Sequence, residues 1–252
     1  METKKALANY CIRIADDQLI QAQRLAELCS YGPILEEDLA MTNISLDGFG
    51  QAEFFYDYAV ELLADGRTAD DLAFRRSERQ YLNHLLVEQS NGDFAKTMMR
   101  VFLFSGFSKL WFEALSQSND ERLAALSARA LKEARYHFRH SSEWIIRLGN
   151  GTDESMKRTV AALHELWPYT DNLFETTPED GMLTELGIAC DLVSLKVLWE
   201  LQVKEVLAEA NVSIPEKVFM HKGGIDGLHT EQLGHLLCEM QYLQRAYPDA
   251  KW

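Results

Sequence analysis

The sequence lacks paired cysteines. Cys11, Cys29, Cys190 and Cys238 are its four cysteines and form no Cys-x-x-Cys pair. That leaves no zinc-ribbon spacing and no disulfide framework, and on the apolar faces of predicted helices they read as reduced core thiols. Proline is scarce, with 5 in 252 residues, and β-rich runs are missing, which favours an all-α chain. No run of about 18 apolar residues occurs, and no signal peptide precedes the first amphipathic stretch. Neither a membrane span nor secretion is therefore expected, and the cytoplasm is the predicted location. Positive charge is also short: 25 Lys+Arg stand against 39 Asp+Glu, a formal net charge of −14. That argues against a nucleic-acid surface or an anionic-membrane surface. Solenoid repeats, low-complexity segments and a clear domain boundary are absent too, so 1–252 is predicted to be one domain. The 47% hydrophobic content is enough for a substantial core.

What is present is organised around residues 118–149, predicted to be one long helix. Ser118 with Glu121 forms a capping-box pattern, and Gly149-Asn150-Gly151 is a strong stop. Leu123, Leu126, Ala130, Glu133, His137, Ser141, Trp144 and Leu148 alternate at spacings of three and four and share one face. A carboxylate and an imidazole thus sit in the middle of a face expected to be buried. Burying either unpaired is costly, so partners must come from elsewhere.

The other predicted helices cover 5–29, 35–64, 77–88, 94–116, 153–167, 191–210 and 230–246. Loops are expected at 65–67, 170–189 and 211–229. The first helix carries Leu7, Cys11, Ile14, Gln18, Gln21, Leu25 and Leu28 on its inner stripe, which turns polar beside Asp17. Asp47 interrupts the second stripe in the same way, followed by Gly48 and Gly50. Glycine costs roughly 1 kcal/mol against alanine inside a helix. Both glycines are therefore read as close-packing positions.

A bundle with polar residues in facing seams invites a test for a di-iron centre, which in ferritin-like proteins uses Glu and Glu-x-x-His from paired helices. No Glu in this chain has a His at the third following position. Glu133-x-x leads to Tyr136, with His137 one residue late. Asp47-x-x leads to Gly50. Hairpin geometry puts Asp17 opposite Asp47, and Glu133 opposite 99–103, a window that holds Arg100 in place of an acid. Two readings remain open. In one, Asp17, Asp47, Gly50, Arg100, Glu133, Tyr136 and His137 are the charge-paired relic of a metal site. In the other, they are ordinary polar residues at bundle seams. Neither predicts a metal or a catalytic residue in this chain. The Gly-rich loop 221–227 lacks the phosphate-loop pattern and follows no strand, so it is read as structural.

Several longer stretches carry a resemblance. They are Asp47-Gly48-Phe49-Gly50-Gln51-Ala52, Glu88-Gln89-Ser90-Asn91-Gly92-Asp93-Phe94, Lys132-Glu133-Ala134-Arg135-Tyr136-His137, Arg147-Leu148-Gly149-Asn150-Gly151-Thr152, Gly227-Leu228-His229-Thr230-Glu231 and Glu239-Met240-Gln241-Tyr242-Leu243-Gln244-Arg245. Over essentially its whole length the chain resembles the structural subunit of bacterial phenylacetyl-CoA oxygenases, the ring 1,2-epoxidases. The resemblance implies a ferritin-like four-helix core with additional C-terminal helices. It also implies a non-catalytic subunit with no cofactor of its own, assembled with a di-iron catalytic subunit, a reductase component and small accessory subunits. A homodimer of the isolated chain is a further expectation. An active di-iron oxygenase with unusual ligands, or a ferritin-like protein with no enzyme partner, are the alternatives. Iron content and co-purification would distinguish them.

Overall fold

A computed structural model describes residues 2–248 and 250. Among the described residues the fold is all-α and ferritin-like, with eleven α-helices and no strand. In chain order these are α1 (Glu2–Ala26), α2 (Leu35–Leu63), α3 (Ala69–Phe74), α4 (Leu85–Glu88), α5 (Phe94–Leu115) and α6 (Glu121–Gly149). They continue as α7 (Asp153–Leu166), α8 (Pro178–Glu185), α9 (Leu192–Glu209), α10 (Glu231–Met240) and α11 (Tyr242–Ala246). The chain divides into two compact units, residues 1–90 with 223–252, and residues 91–222.

In the first unit α1 is the centre. It contains no glycine or proline, and its inner stripe buries Leu7, Cys11, Ile14 and Leu25 as the periodicity predicts. Its polar side is covered as well: Arg13, Asp16, Asp17, Gln18, Gln21 and Arg24 are all buried. A helix buried all round must bring its polar groups their partners, and this requirement shapes the unit. α2 runs antiparallel to it. Glu36, Glu37 and Asp38 in its first turn complement the helix dipole. Its end is closed by Ala64 at φ 49, whose N–H donates to Val60 O at 2.9 Å.

The two glycines of α2 differ. A Cβ on Gly48 would lie 3.0 Å from Ala22 Cβ and 3.2 Å from Gln18 O, so α1 and α2 approach closely there. A Cβ on Gly50 would meet nothing within 4 Å, which corrects the packing reading of that residue. Gly50→Ala is therefore expected to stabilise the protein by roughly 0.5–1 kcal/mol, since it restricts the unfolded chain without crowding the helix. The same change at Gly48 should gain less or lose stability. Paired urea melts measure both.

The second unit is built on α5, aromatic and nearly fully buried, against α6, α7 and α9. Phe102 stacks on Phe138 at 5.7 Å, and Phe107 meets Trp111 at 4.9 Å and Phe174 at 5.5 Å. Trp199 on α9 joins this core and donates Nε1–H to Leu103 O at 3.0 Å. α6 ends against α9 so tightly that a Cβ on Gly149 would lie 2.1 Å from Ala210 O.

Several predicted boundaries and faces differ. α6 starts three residues late: Asp120 caps it by accepting from Leu123 N at 2.8 Å, while Ser118 Oγ donates to Ile188 O. The predicted helix 77–88 is instead a 3-10 turn, Glu78–Gln80, and the short α4, with extended backbone at Tyr81 and His84. The expected loop 170–189 contains a 3-10 turn and α8, opened by a capping box at Thr177. α10 and α11 are separated at Gln241, whose buried side chain donates to Arg76 O and Tyr81 Oη. Thr230 sits at the N-cap position of α10 without a side-chain cap bond. Of the cysteines only Cys11 is in the core; Cys29 and Cys238 are exposed and Cys190 is half-buried. α1 ends at Ala26 and α9 begins at Leu192, so Cys29 and Cys190 lie in connections rather than on buried helix faces.

Candidate functional site

The seven sequence-predicted positions fall in both units. In the first, Asp17 is fully buried on α1, and Asp47 and Gly50 are half-buried on α2. Ser45 Oγ donates to Ala22 O at 2.8 Å, and Tyr56 Oη donates to Asp16 Oδ1. This register puts Asp17 level with residues around Gln51–Phe55 rather than with Asp47, a displacement of about one helical turn. The hairpin estimate failed because the connection 27–34 is long and the helices do not meet in step.

Asp17 is already engaged. His84 N donates to its Oδ1 at 2.7 Å, and His84 Nδ1 meets Oδ2 at 2.7 Å. Beside it lies the residue that spacing did not single out, Asp16. Arg76 Nη1 donates to Asp16 Oδ2 at 3.0 Å, Nη2 also donates to this carboxylate, and Leu82 N donates at 2.8 Å. The guanidinium also faces the Tyr81 ring, 4.2 Å from its centroid, and donates to Gln80 O at 2.7 Å. Burial opposes the Arg76 charge, but Asp16 outweighs it and holds the guanidinium above its ordinary range. Burial, reinforced by the Asp16 charge, pushes the Tyr56 phenol well above its usual value. Tyr56 therefore acts as a neutral donor. The buried aspartate next to Asp17 was visible in the sequence; its partners, 40 to 66 residues away, were not.

A second ion pair ties the C-terminal segment into this unit. Glu88 accepts from Asn83 Nδ2 at 2.9 Å and Thr230 N at 2.7 Å, and its Oε2 lies 2.8 Å from His229 Nδ1. His229 Nε2 lies 2.9 Å from Tyr81 O, and its side chain is fully buried. A carbonyl only accepts, so Nε2 carries a proton; with Nδ1 against a carboxylate, imidazolium satisfies both sides. Burial pulls the His229 pKa down, but the hydrogen bond and charge of Glu88 and the Tyr81 carbonyl raise it above 6.5. A raised folded-state pKa gives stability that is complete below the unfolded value and is lost as pH rises through the folded value. Urea melts should accordingly show stability falling as pH increases above 6.5, and His229→Gln should flatten that part of the profile. An unchanged slope in His229→Gln would refute the assignment.

In the second unit His137 is buried, as expected, while Glu133 is half-buried and Tyr136 is 39% exposed. The buried face of α6 runs through Ser127, Ala130, Ala134, His137, Ser141, Ile145 and Gly149. It is displaced from the predicted stripe because small side chains admit the neighbouring helices closely, leaving Leu126, Trp144 and Leu148 at its flank. This corrects the expectation of a buried Glu133. Arg100 is fully buried and donates Nη2 to Asn91 Oδ1 at 2.6 Å. Arg135 pairs with Glu113 at 2.8 Å, and Ser141 meets Ser105 at 3.3 Å. Glu133 is thus level with the stretch near Lys109 and Glu113, not with 99–103. A fixed offset of thirty-odd residues holds in mid-hairpin and shrinks toward the turn.

The residues present do not fit a di-iron group. Among the described residues no three His, Cys, Asp or Glu side chains come together as a metal-holding cluster. Asp16, Asp17 and Glu88 each already accept two or more hydrogen bonds from fixed donors. Gly50 supplies no ligand, and Tyr136 lies on the outside of α6. The arrangement locks helices together through the Asp16–Arg76, Asp17–His84 and Glu88–His229 pairs. Among the described residues no helix is long and apolar enough to cross a membrane.

The family described as "Phenylacetic acid catabolic protein" matches residues 1–252. The chain is also 47% identical over 246 residues to one of the subunits of the 1,2-phenylacetyl-CoA epoxidase of Escherichia coli (strain K12), covering 98% of this chain and 99% of that protein. With a match across its full length and that identity, the chain belongs to the phenylacetic acid catabolic protein family.

Proposed function

We propose that this chain is the non-catalytic structural subunit of a cytoplasmic multicomponent phenylacetyl-CoA monooxygenase, a ring 1,2-epoxidase, and that it holds a di-iron catalytic subunit. The full-length similarity to an epoxidase subunit supports the system. The observation that carries the non-catalytic role is the filled polar core. Where iron would need free carboxylates, Asp17 is bonded to His84, Asp16 to Arg76, and Glu88 to His229. Such a core gives rigidity instead of an open site.

A scaffold also needs surface for its partner. Leu35, Leu39 and Leu46 on α2 are 54% exposed or more, as are Val193, Val197, Leu198 and Leu201 on α9. Aliphatic ridges of this kind suit helix-on-helix packing, and a stable complex should bury at least roughly 2,000 Å². The reductase and small accessory subunits would complete the system. The test is co-expression with the catalytic subunit, followed by iron analysis of each separated chain. Iron is expected in the partner alone. Two irons per copy of this chain after anaerobic ferrous reconstitution would overturn the reading.

A further inference from the structure

A groove of about 1000 Å³ lies in the first unit between the 3-10 turn Glu78–Gln80 and the break separating α10 from α11. Its apolar surface comes from Leu237 and Ala246 and from the ring of Tyr242, which is 64% exposed. Arg79, His235 and Arg245 also line it, against one acid, Glu78. On a chain of net charge −14 this local excess of cationic groups runs against the background.

The two guanidiniums are positioned but not neutralised. Arg79 Nη1 donates to Gly227 O at 3.3 Å, and Arg245 Nη2 donates to Arg76 O at 3.0 Å. Each is oriented by a backbone carbonyl and keeps further N–H donors. Among the described residues no carboxylate pairs with Arg79, His235 or Arg245. Elsewhere Arg67, Arg76, Arg135 and Arg158 all have acidic partners. Gln241, 1% exposed, forms part of the floor; its Nε2 is bonded, while its Oε1 has no donor.

We propose that this groove binds an organic phosphate carrying an aromatic ring, a nucleotide-like anion. Its phosphate groups would bridge Arg79 and Arg245, and its ring would lie against Tyr242 and Leu237. Planar guanidiniums take phosphate oxygens two at a time, which suits them for this recognition. The volume is at the upper end of small-molecule sites, about 300–1,000 Å³.

Cys238 lines the groove, whereas Cys29 is exposed outside it, so the two thiols report binding and its control in one sample. The full chain is treated with iodoacetamide, and alkylation of each cysteine is followed by peptide mass spectrometry. Adenosine diphosphate, adenosine triphosphate, pyrophosphate and benzoate, none of which carries a thiol, are tested separately. Either nucleotide should slow alkylation of Cys238 and leave Cys29 unchanged, with pyrophosphate acting more weakly and benzoate not at all. Replacing Arg79 and Arg245 together by Gln should weaken protection about tenfold or more, while Arg67→Gln should not. Helical circular dichroism confirms that each variant is folded. Several results would overturn the proposal: no protection by either nucleotide, equal slowing of both cysteines, or protection by benzoate alone. Pyrophosphate as effective as the nucleotides, or protection that survives the double replacement, would do the same.

Discussion

Asp16→Ala should lower stability by about 3–5 kcal/mol, the range for removing one partner of a buried ion pair. The carboxylate is 0% exposed and accepts from Tyr56, Arg76 and the Leu82 amide. Deleting it leaves the 6%-exposed Arg76 guanidinium without its acidic partner, and Tyr56 and Leu82 N without an acceptor. The loss is more than one contact, because Arg76 also donates to Gln80 O and its own carbonyl accepts from Gln241. Replacing Asp16 and Arg76 together by Leu and Met should recover much of the loss, since a well-packed apolar pair leaves no stranded charge. Urea unfolding of the two single variants and the double variant closes the cycle. A cost below about 1 kcal/mol for Asp16→Ala would show that the pair is solvated in solution, against its burial here.

Omitting this chain from a reconstituted oxygenase should abolish turnover, while Asp47→Ala, Glu133→Gln and His137→Gln should each leave turnover per assembled complex within about twofold. A general acid or base normally contributes about 10²–10⁴-fold, so the two outcomes are well separated. Asp47 and Glu133 are half-buried, and His137 is buried on a face of small residues, so their substitution should act on stability or assembly. The decisive measurement is turnover normalised to assembled complex and to iron in the partner. A fall of several orders of magnitude at full iron and full assembly would place chemistry in this chain.

The fold class was legible in the residues themselves. Few prolines, long stripes of period 3.6 and glycine stops predicted α1, α2, α5, α6 and α9 to within a few residues. These are local properties: backbone propensity, capping and amphipathic periodicity act within a turn or two. The absence of Glu-x-x-His was equally local and could be read directly. The breaks at Gln241 and around Tyr81 were not: there Gln241 donates to Tyr81 Oη, and Leu82 N and His84 N donate to Asp16 and Asp17, partners far away in the chain.

Facing and pairing depended on the tertiary structure. The polar interruption of α1 was visible at Asp17, but Asp16 carries the larger network, through Arg76 and Leu82 60 and 66 residues away. His229 meets Glu88 across 141 residues. Glu133 lay one step from the seam because Ala130, Ala134 and Ser141 are small enough to admit close packing, a choice that depends on the neighbouring helices. Sequence alone determined that this is a helical protein without a Glu-x-x-His pair. Only the tertiary structure decided which charges neutralise one another, since register and close approach are set by helices distant in the chain.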